Sequence, residues 1–144
     1  MRRRRLLVLA GSGLIVPLVP LRPAQATPDQ VAALIAELTG DAELRDGRVK
    51  LDLPVLVENG NSVGMTVSVD APAGSVRSID VFAENNPLPH VLRVQFGPRS
   101  GAPRVQTRIR LATSQTVIAV AKLADGSCWR DSVELLVTLA ACIE

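Results

Sequence analysis

Val105-Gln106-Thr107-Arg108-Ile109-Arg110-Leu111 alternates apolar or β-branched residues with polar and charged ones at every step. A period of two puts each set on its own face of an extended strand, the mark of a half-buried β-strand. The pattern recurs outward from this stretch. Val49, Leu51 and Leu53 alternate with Lys50 and Asp52, and Met65, Val67 and Val69 alternate with Thr66, Ser68 and Asp70. Further β-rich runs lie near residues 76–83, 91–96, 116–123 and 129–139. Turn chemistry separates the runs at Glu58-Asn59-Gly60-Asn61, Asn85-Asn86-Pro87, Pro98-Arg99-Ser100-Gly101 and Asp125-Gly126. About seven short strands spaced in this way predict an all-β, immunoglobulin-like β-sandwich. Asp125-Gly126 predicts a hairpin joining the last two strands. In the last strand Val133, Leu135, Val137 and Leu139 are expected on the core face, with residues 140–144 as a tail beyond the sheet.

One short helix precedes the strands. Thr27 is an N-cap residue, Pro28 suits the first helical position and Gln30 completes a capping box. Val31, Leu34, Ile35 and Leu38 follow at helical spacing until Gly40 ends the pattern.

Residues 1–26 differ in kind. Four arginines (Arg2 to Arg5) precede an apolar stretch, residues 6–21, and Ala24-Gln25-Ala26 forms a small-x-small cleavage signature before Thr27. This order predicts a cleaved export signal. The apolar stretch contains Gly11, Ser12, Gly13, Pro17 and Pro20 and is shorter than the about 20 residues of a membrane span. Arg3-Arg4-Arg5-Leu6-Leu7 has the shape of a twin-arginine motif; general secretion is the other route. Export through a bacterial inner membrane predicts a periplasmic, oxidising location for a mature domain of residues 27–144, with no further membrane contact.

The leader also distorts the charge balance. The whole chain has 16 Lys+Arg against 14 Asp+Glu, but five arginines and no acids lie in residues 1–26. The remainder carries 11 basic and 14 acidic residues, a net charge of −3. With three aromatics (Phe82, Phe96, Trp129), it has neither the basic surface nor the stacking platforms expected of a nucleic-acid binder. One histidine and two cysteines argue against a structural zinc site, and no metal or other cofactor is expected. No Walker-type loop, nucleophile elbow or zincin motif is present.

The two cysteines are Cys128, at the start of the last strand, and Cys142, past its end. An extended strand between them would separate their Cα atoms by roughly 40 Å, far more than the ~7 Å a disulfide spans. Cys128, beside Trp129 and a tight turn, is expected to be a small packing residue. Near the chain end few neighbours can bury Cys142, and an exposed thiol in an oxidising space is a hazard unless it is used. His90 reads as a surface or turn histidine and Glu84-Asn85-Asn86 as a loop. Gln106, Arg108 and Arg110 share one strand face, either solvated or turned to a partner.

Four blocks in order, Val57-Glu58-Asn59-Gly60, Ile79-Asp80-Val81-Phe82-Ala83-Glu84-Asn85-Asn86-Pro87, Thr107-Arg108-Ile109-Arg110-Leu111-Ala112-Thr113-Ser114-Gln115-Thr116-Val117 and Asp125-Gly126-Ser127-x-Trp129, strongly resemble the SoxY family. SoxY is the sulfur-carrier subunit of the periplasmic SoxYZ complex in thiosulfate oxidation. The resemblance runs from about residue 28 to the C-terminus. It implies an immunoglobulin-like fold, a SoxZ-like partner in a heterodimer, and separate enzymes that load and process the carrier. It also implies that Cys142, third from the end, holds sulfur intermediates covalently, in a chain that is not itself an enzyme. The family's arm is Gly-Gly-Cys-Gly-Gly, whereas this chain has Ala140-Ala141-Cys142-Ile143-Glu144. The alanines narrow backbone freedom, Ile143 adds bulk, and the Glu144 carboxylate disfavours a thiolate at Cys142. The alternative is a SoxY-like paralogue that has kept the partner surface as a binding or scaffold subunit without carrying sulfur.

Overall fold

A computed structural model describes residues 25–139. Helix α1 (Pro28–Thr39) forms where its capping signals place it: the Thr27 hydroxyl accepts from the Gln30 amide and the Gln30 side chain accepts from the Thr27 amide. Gly40 closes its last turn, donating to the Ala36 carbonyl at 2.9 Å. Nine strands follow in the described residues: β1 (Leu44–Asp46), β2 (Val49–Asp52), β3 (Leu56–Asn59), β4 (Val63–Val69), β5 (Val76–Ala83), β6 (His90–Gln95), β7 (Arg104–Ile109), β8 (Gln115–Leu123) and β9 (Cys128–Leu139).

They form an immunoglobulin-like sandwich of two sheets. The larger has the order β1-β9-β8-β5-β6, with β3 also paired to β9; the smaller has the order β2-β4-β7. The period-two residues meet between them as expected, with Leu51, Met65 and Val67 of the small sheet facing Ile79, Val81, Val117, Ala119 and Leu135 of the large one. The amide of Leu51 donates to Asp131 Oδ2 at 2.8 Å, a polar tie between the sheets. On the other face of the large sheet, Val31 and Ile35 of α1 cover Phe82 and Val120. Central strands β5 and β8 are thus buried on both faces and read as nearly continuous apolar runs.

The Asp125-Gly126 hairpin joins β8 to β9 in antiparallel register, Lys122 opposite Cys128. Gly126 takes φ 87°, the left-handed conformation for which glycine is suited. Asp125 Oδ1 accepts from both the amide and the hydroxyl of Ser127. These two bonds hold the Asp125 carboxyl below its ordinary value.

Three expectations need correction. Two more strands exist than the seven predicted, because β1 and β3, of three and four residues, are too short to show a period. Both pair with β9 in parallel. Glu58 and Asn59 belong to β3 rather than to a turn, which is confined to the residues after them, where Asn59 Oδ1 accepts from the Asn61 backbone and side chain. Leu139, assigned to the core face, is 60% exposed because the opposite sheet does not extend over the end of β9; Val133 and Val137 are half-buried and Leu135 is buried. Of the leader, residues 1–24 lie outside the described residues. Ala26 is buried and its amide donates to the Asn86 carbonyl at 3.1 Å. No described helix is long and apolar enough to cross a membrane.

Candidate functional site

Cys142 and the other residues of 140–144 lie outside the described residues, so the site is defined by what holds the chain immediately before them. Strand β9 outruns its partner β8, whose first residue Gln115 pairs with Leu135. The remaining four residues of β9 have to find hydrogen bonds elsewhere. On one side Ser114 takes the place of a strand: its hydroxyl accepts from the Val137 amide at 2.9 Å. On the other, β3 pairs Leu56 with Leu136, Val57 with Val137 and Asn59 with Leu139. The Leu136 amide donates to the Val55 carbonyl at 2.8 Å, and the Leu139 carbonyl accepts from the Gly60 amide at 2.9 Å. Thr138 Oγ1 donates to the Glu58 carbonyl at 3.1 Å. The chain is therefore fastened on both edges at Val137, and on the β3 side through Leu139, three residues before Cys142.

The surface around this root is apolar. Leu56 and Leu136, directly paired across two strands, are 60% and 59% exposed, and Val55 and Leu139 nearby are equally open. Single exposed leucines are ordinary, but an adjacent group on a small sandwich marks a surface built for contact.

A second set of contacts secures the platform. Asn86 is buried; its Nδ2 donates to the Arg110 carbonyl, while its Oδ1 accepts from the Ala112 amide and from Gln115 Nε2, all at 2.9 Å. Asn85 donates its amide to Gln115 Oε1 and its Nδ2 to the Ser114 carbonyl. The loop after β5 is thereby bolted to residues 110–115, which carry Ser114 to the root of β9. Asn85 and Asn86, expected as a plain loop, are internal clamps; Glu84 is half-buried beside them.

His90 is exposed, as expected, but it is also held by two contacts. Its ring stacks on Phe82 with centroids 4.8 Å apart, and its Nε2 lies 2.9 Å from Asp80 Oδ1. Asp80 is fully buried and also accepts from Arg93 Nε at 2.6 Å and from the Ser78 hydroxyl at 3.2 Å. Sequence reading passed over Asp80, although an acid within the apolar run of β5 is a signal that a cation must lie opposite. Register supplies it, pairing Asp80 with Arg93 across β5 and β6.

Cys128 is buried, as a packing residue should be, and burial pushes its thiol above the ordinary value, with Lys122 opposing and Asp125 adding to the shift. Trp129, next to it, lies under the guanidinium groups of Arg48 and Arg45 at 4.9 and 5.8 Å from the ring. Cys128 and Leu139 bound a 12-residue strand, roughly 36 Å long, so a thiol three residues past Leu139 cannot reach Cys128. Gln106, Arg108 and Arg110 are exposed. Among the described residues no three His, Cys, Asp or Glu side chains converge on a point where they could hold a metal.

Fold and site together define an immunoglobulin-like sandwich that anchors the base of a cysteine-bearing C-terminal segment. The family model for sulfur oxidation protein SoxY matches residues 35–142, and the chain belongs to that family. The structure of the sulfur carrier protein SoxY from Chlorobium limicola f. thiosulfatophilum is similar, with TM-score 0.66 and 26% identity, over 77% of this chain and 98% of that one. A superoxide reductase (neelaredoxin) from Ignicoccus hospitalis shares the fold, with TM-score 0.56 and 22% identity over 78% and 94% of the two chains. So does a putative superoxide reductase from Thermotoga maritima, with TM-score 0.55 and 20% identity over 69% and 89%. No curated protein sequence matches the chain.

Proposed function

We propose that this chain is a periplasmic sulfur-carrier subunit that holds sulfur covalently on Cys142 and pairs with a SoxZ-like chain. The observation that carries this reading is the fastening of β9 through Leu139 in a member of the SoxY family. A carrier needs a rigid body and a reactive group on a short tether. The thiol lies three residues past Leu139, whose carbonyl is the last one fixed, a reach of at most about 11 Å between Cα atoms. The apolar residues around the root suit the mouth of an enzyme channel that admits the tether and excludes the sandwich.

Sulfur is the element such a role requires, because a thiol forms S–S bonds that exchange can break again. Joining the Cys142 thiol to the outer sulfur of thiosulfate forms one S–S bond, releases the thiol proton and gives up two electrons. The enzyme that loads the carrier must therefore supply a two-electron acceptor, and nothing in this chain has to catalyse the step. Buried Cys128 stays out of the exchange, since a desolvated thiol with a raised pKa is a poor nucleophile.

Incubation with thiosulfate and the loading enzyme should add one thiosulfate-derived group to the mature wild-type protein and none to Cys142→Ser, read by intact mass. An equal addition to both would remove Cys142 from the mechanism. No addition to either would instead favour a scaffold subunit that has kept the fold without the cargo.

A further inference from the structure

Between Glu84 and Asp125 the chain contains no acidic residue, but five arginines and one lysine. The fold collects most of this charge on one side. Strands β6 and β7 are the outer strands of their respective sheets, so they form a joint open edge of the sandwich. Arg93 on β6 is neutralised by Asp80. Arg99, Arg104, Arg108 and Arg110 are exposed, and none has a carboxylate partner among the described residues.

Between the two edge strands runs a groove of about 340 Å³, lined by Leu88, Val91, Leu92 and Ile109 and flanked by Arg108 and Arg110. Leu88 is the most exposed large apolar residue described, at 78%. Its presentation is rigid: prolines flank it on both sides, and the Asn86 clamp fixes the loop by bonding to the Arg110 carbonyl at 2.9 Å. The like-charge cost of the arginines and the cost of holding Leu88 in water have no return among the described residues.

We propose that the β6–β7 edge docks a protein partner whose surface offers carboxylates around a socket for one apolar side chain. Edge strands are commonly guarded by cations against pairing, which accounts for arginines alone. A guarded edge has no use for a preorganised leucine beside it, whereas an apolar anchor flanked by arginines is the anatomy of an interface hot spot. Two copies meeting through this edge would set arginines against arginines, so the occupant is a different, acidic chain. The edge lies at the same end of the sandwich as Leu139, and Gly60 links the two, its carbonyl accepting from the Leu111 amide at 2.8 Å and its amide donating to the Leu139 carbonyl at 2.9 Å, so a partner seated there lies beside the root of the tail.

The inference rests on the carrier reading only for its probe, the SoxZ-like subunit of the same organism. Calorimetric titration of the mature protein with that subunit, at low and at moderate salt, should show binding that weakens as salt rises. Leu88→Asp should weaken it at least tenfold, and Arg108→Glu combined with Arg110→Glu should do the same while flattening the salt dependence. All three residues are exposed, and unchanged thermal unfolding would confirm intact folding. Binding of Leu88→Asp within twofold of wild type, or a double reversal with an unchanged salt slope, would overturn the proposal while leaving sulfur loading on Cys142 untouched. Absence of wild-type binding would overturn it together with the heterodimer.

Discussion

Asn86 shows how one buried amide can set a functional platform. Its side chain ties the loop after β5 to residues 110–115, and two of its three bonds, those to the Ala112 amide and Gln115 Nε2, are buried. Replacing it with alanine strands the Ala112 amide and one of the two N–H groups of Gln115 Nε2, the other keeping its bond to the Thr113 carbonyl, and should cost about 2–3 kcal/mol in urea unfolding. A loss below about 0.5 kcal/mol would show that the clamp is dispensable. Cys128 makes a prediction in pH. Burial raises its thiol above the ordinary 9.0, so the unfolded chain releases this proton first as pH climbs. Its contribution to stability is complete below that value and is lost as pH rises toward the folded pKa. Between about pH 8 and about pH 10 the wild type should therefore lose more stability than Cys128→Ala. Equal losses would contradict the burial effect.

At the scale of elements, the decisive one is β9, and its two ends were unequally legible. The hairpin at Asp125-Gly126 was readable because a turn that needs a left-handed residue announces itself as Asp-Gly. The alternation of β2, β4 and β7 was readable because a period of two survives wherever one face is solvated. Helix α1 was readable from its cap. The far end of β9 was not: β3 is short and exposed at three of its four residues, and Ser114 replaces a strand with a single hydroxyl. Contacts of that kind depend on which residues meet across the fold, and residues 114 and 137 share no local pattern. The same holds for Asp80, whose partners come from register with β6. Ser114→Ala should loosen the root without unfolding the sandwich. Amide exchange at Val137 should speed up about fivefold to tenfold, the equivalent of one lost hydrogen bond, while the amides of central β5 keep their protection. Unchanged exchange at Val137 would mean that β3 alone holds the strand.

For the molecule as a whole, charge and apolar surface are distributed with a purpose that net composition hides. Residues 27–144 carry a net charge of −3, yet the charged residues of the β6–β7 edge are all cations, with Leu88 exposed at its end. A second apolar surface surrounds the last fixed residues of β9. The two suit a subunit that stays bound to one partner while presenting its terminus to others in turn. That arrangement fits a carrier, and the belonging to the SoxY family gives it a chemistry. The most direct test is the intact mass of the protein isolated from the periplasm of cells oxidising thiosulfate, before and after reduction. The account predicts a chain beginning at Thr27 with one or more sulfur atoms or a thiosulfate unit on Cys142, removed by the reductant. A chain that stays unmodified at Cys142 during active oxidation would contradict it.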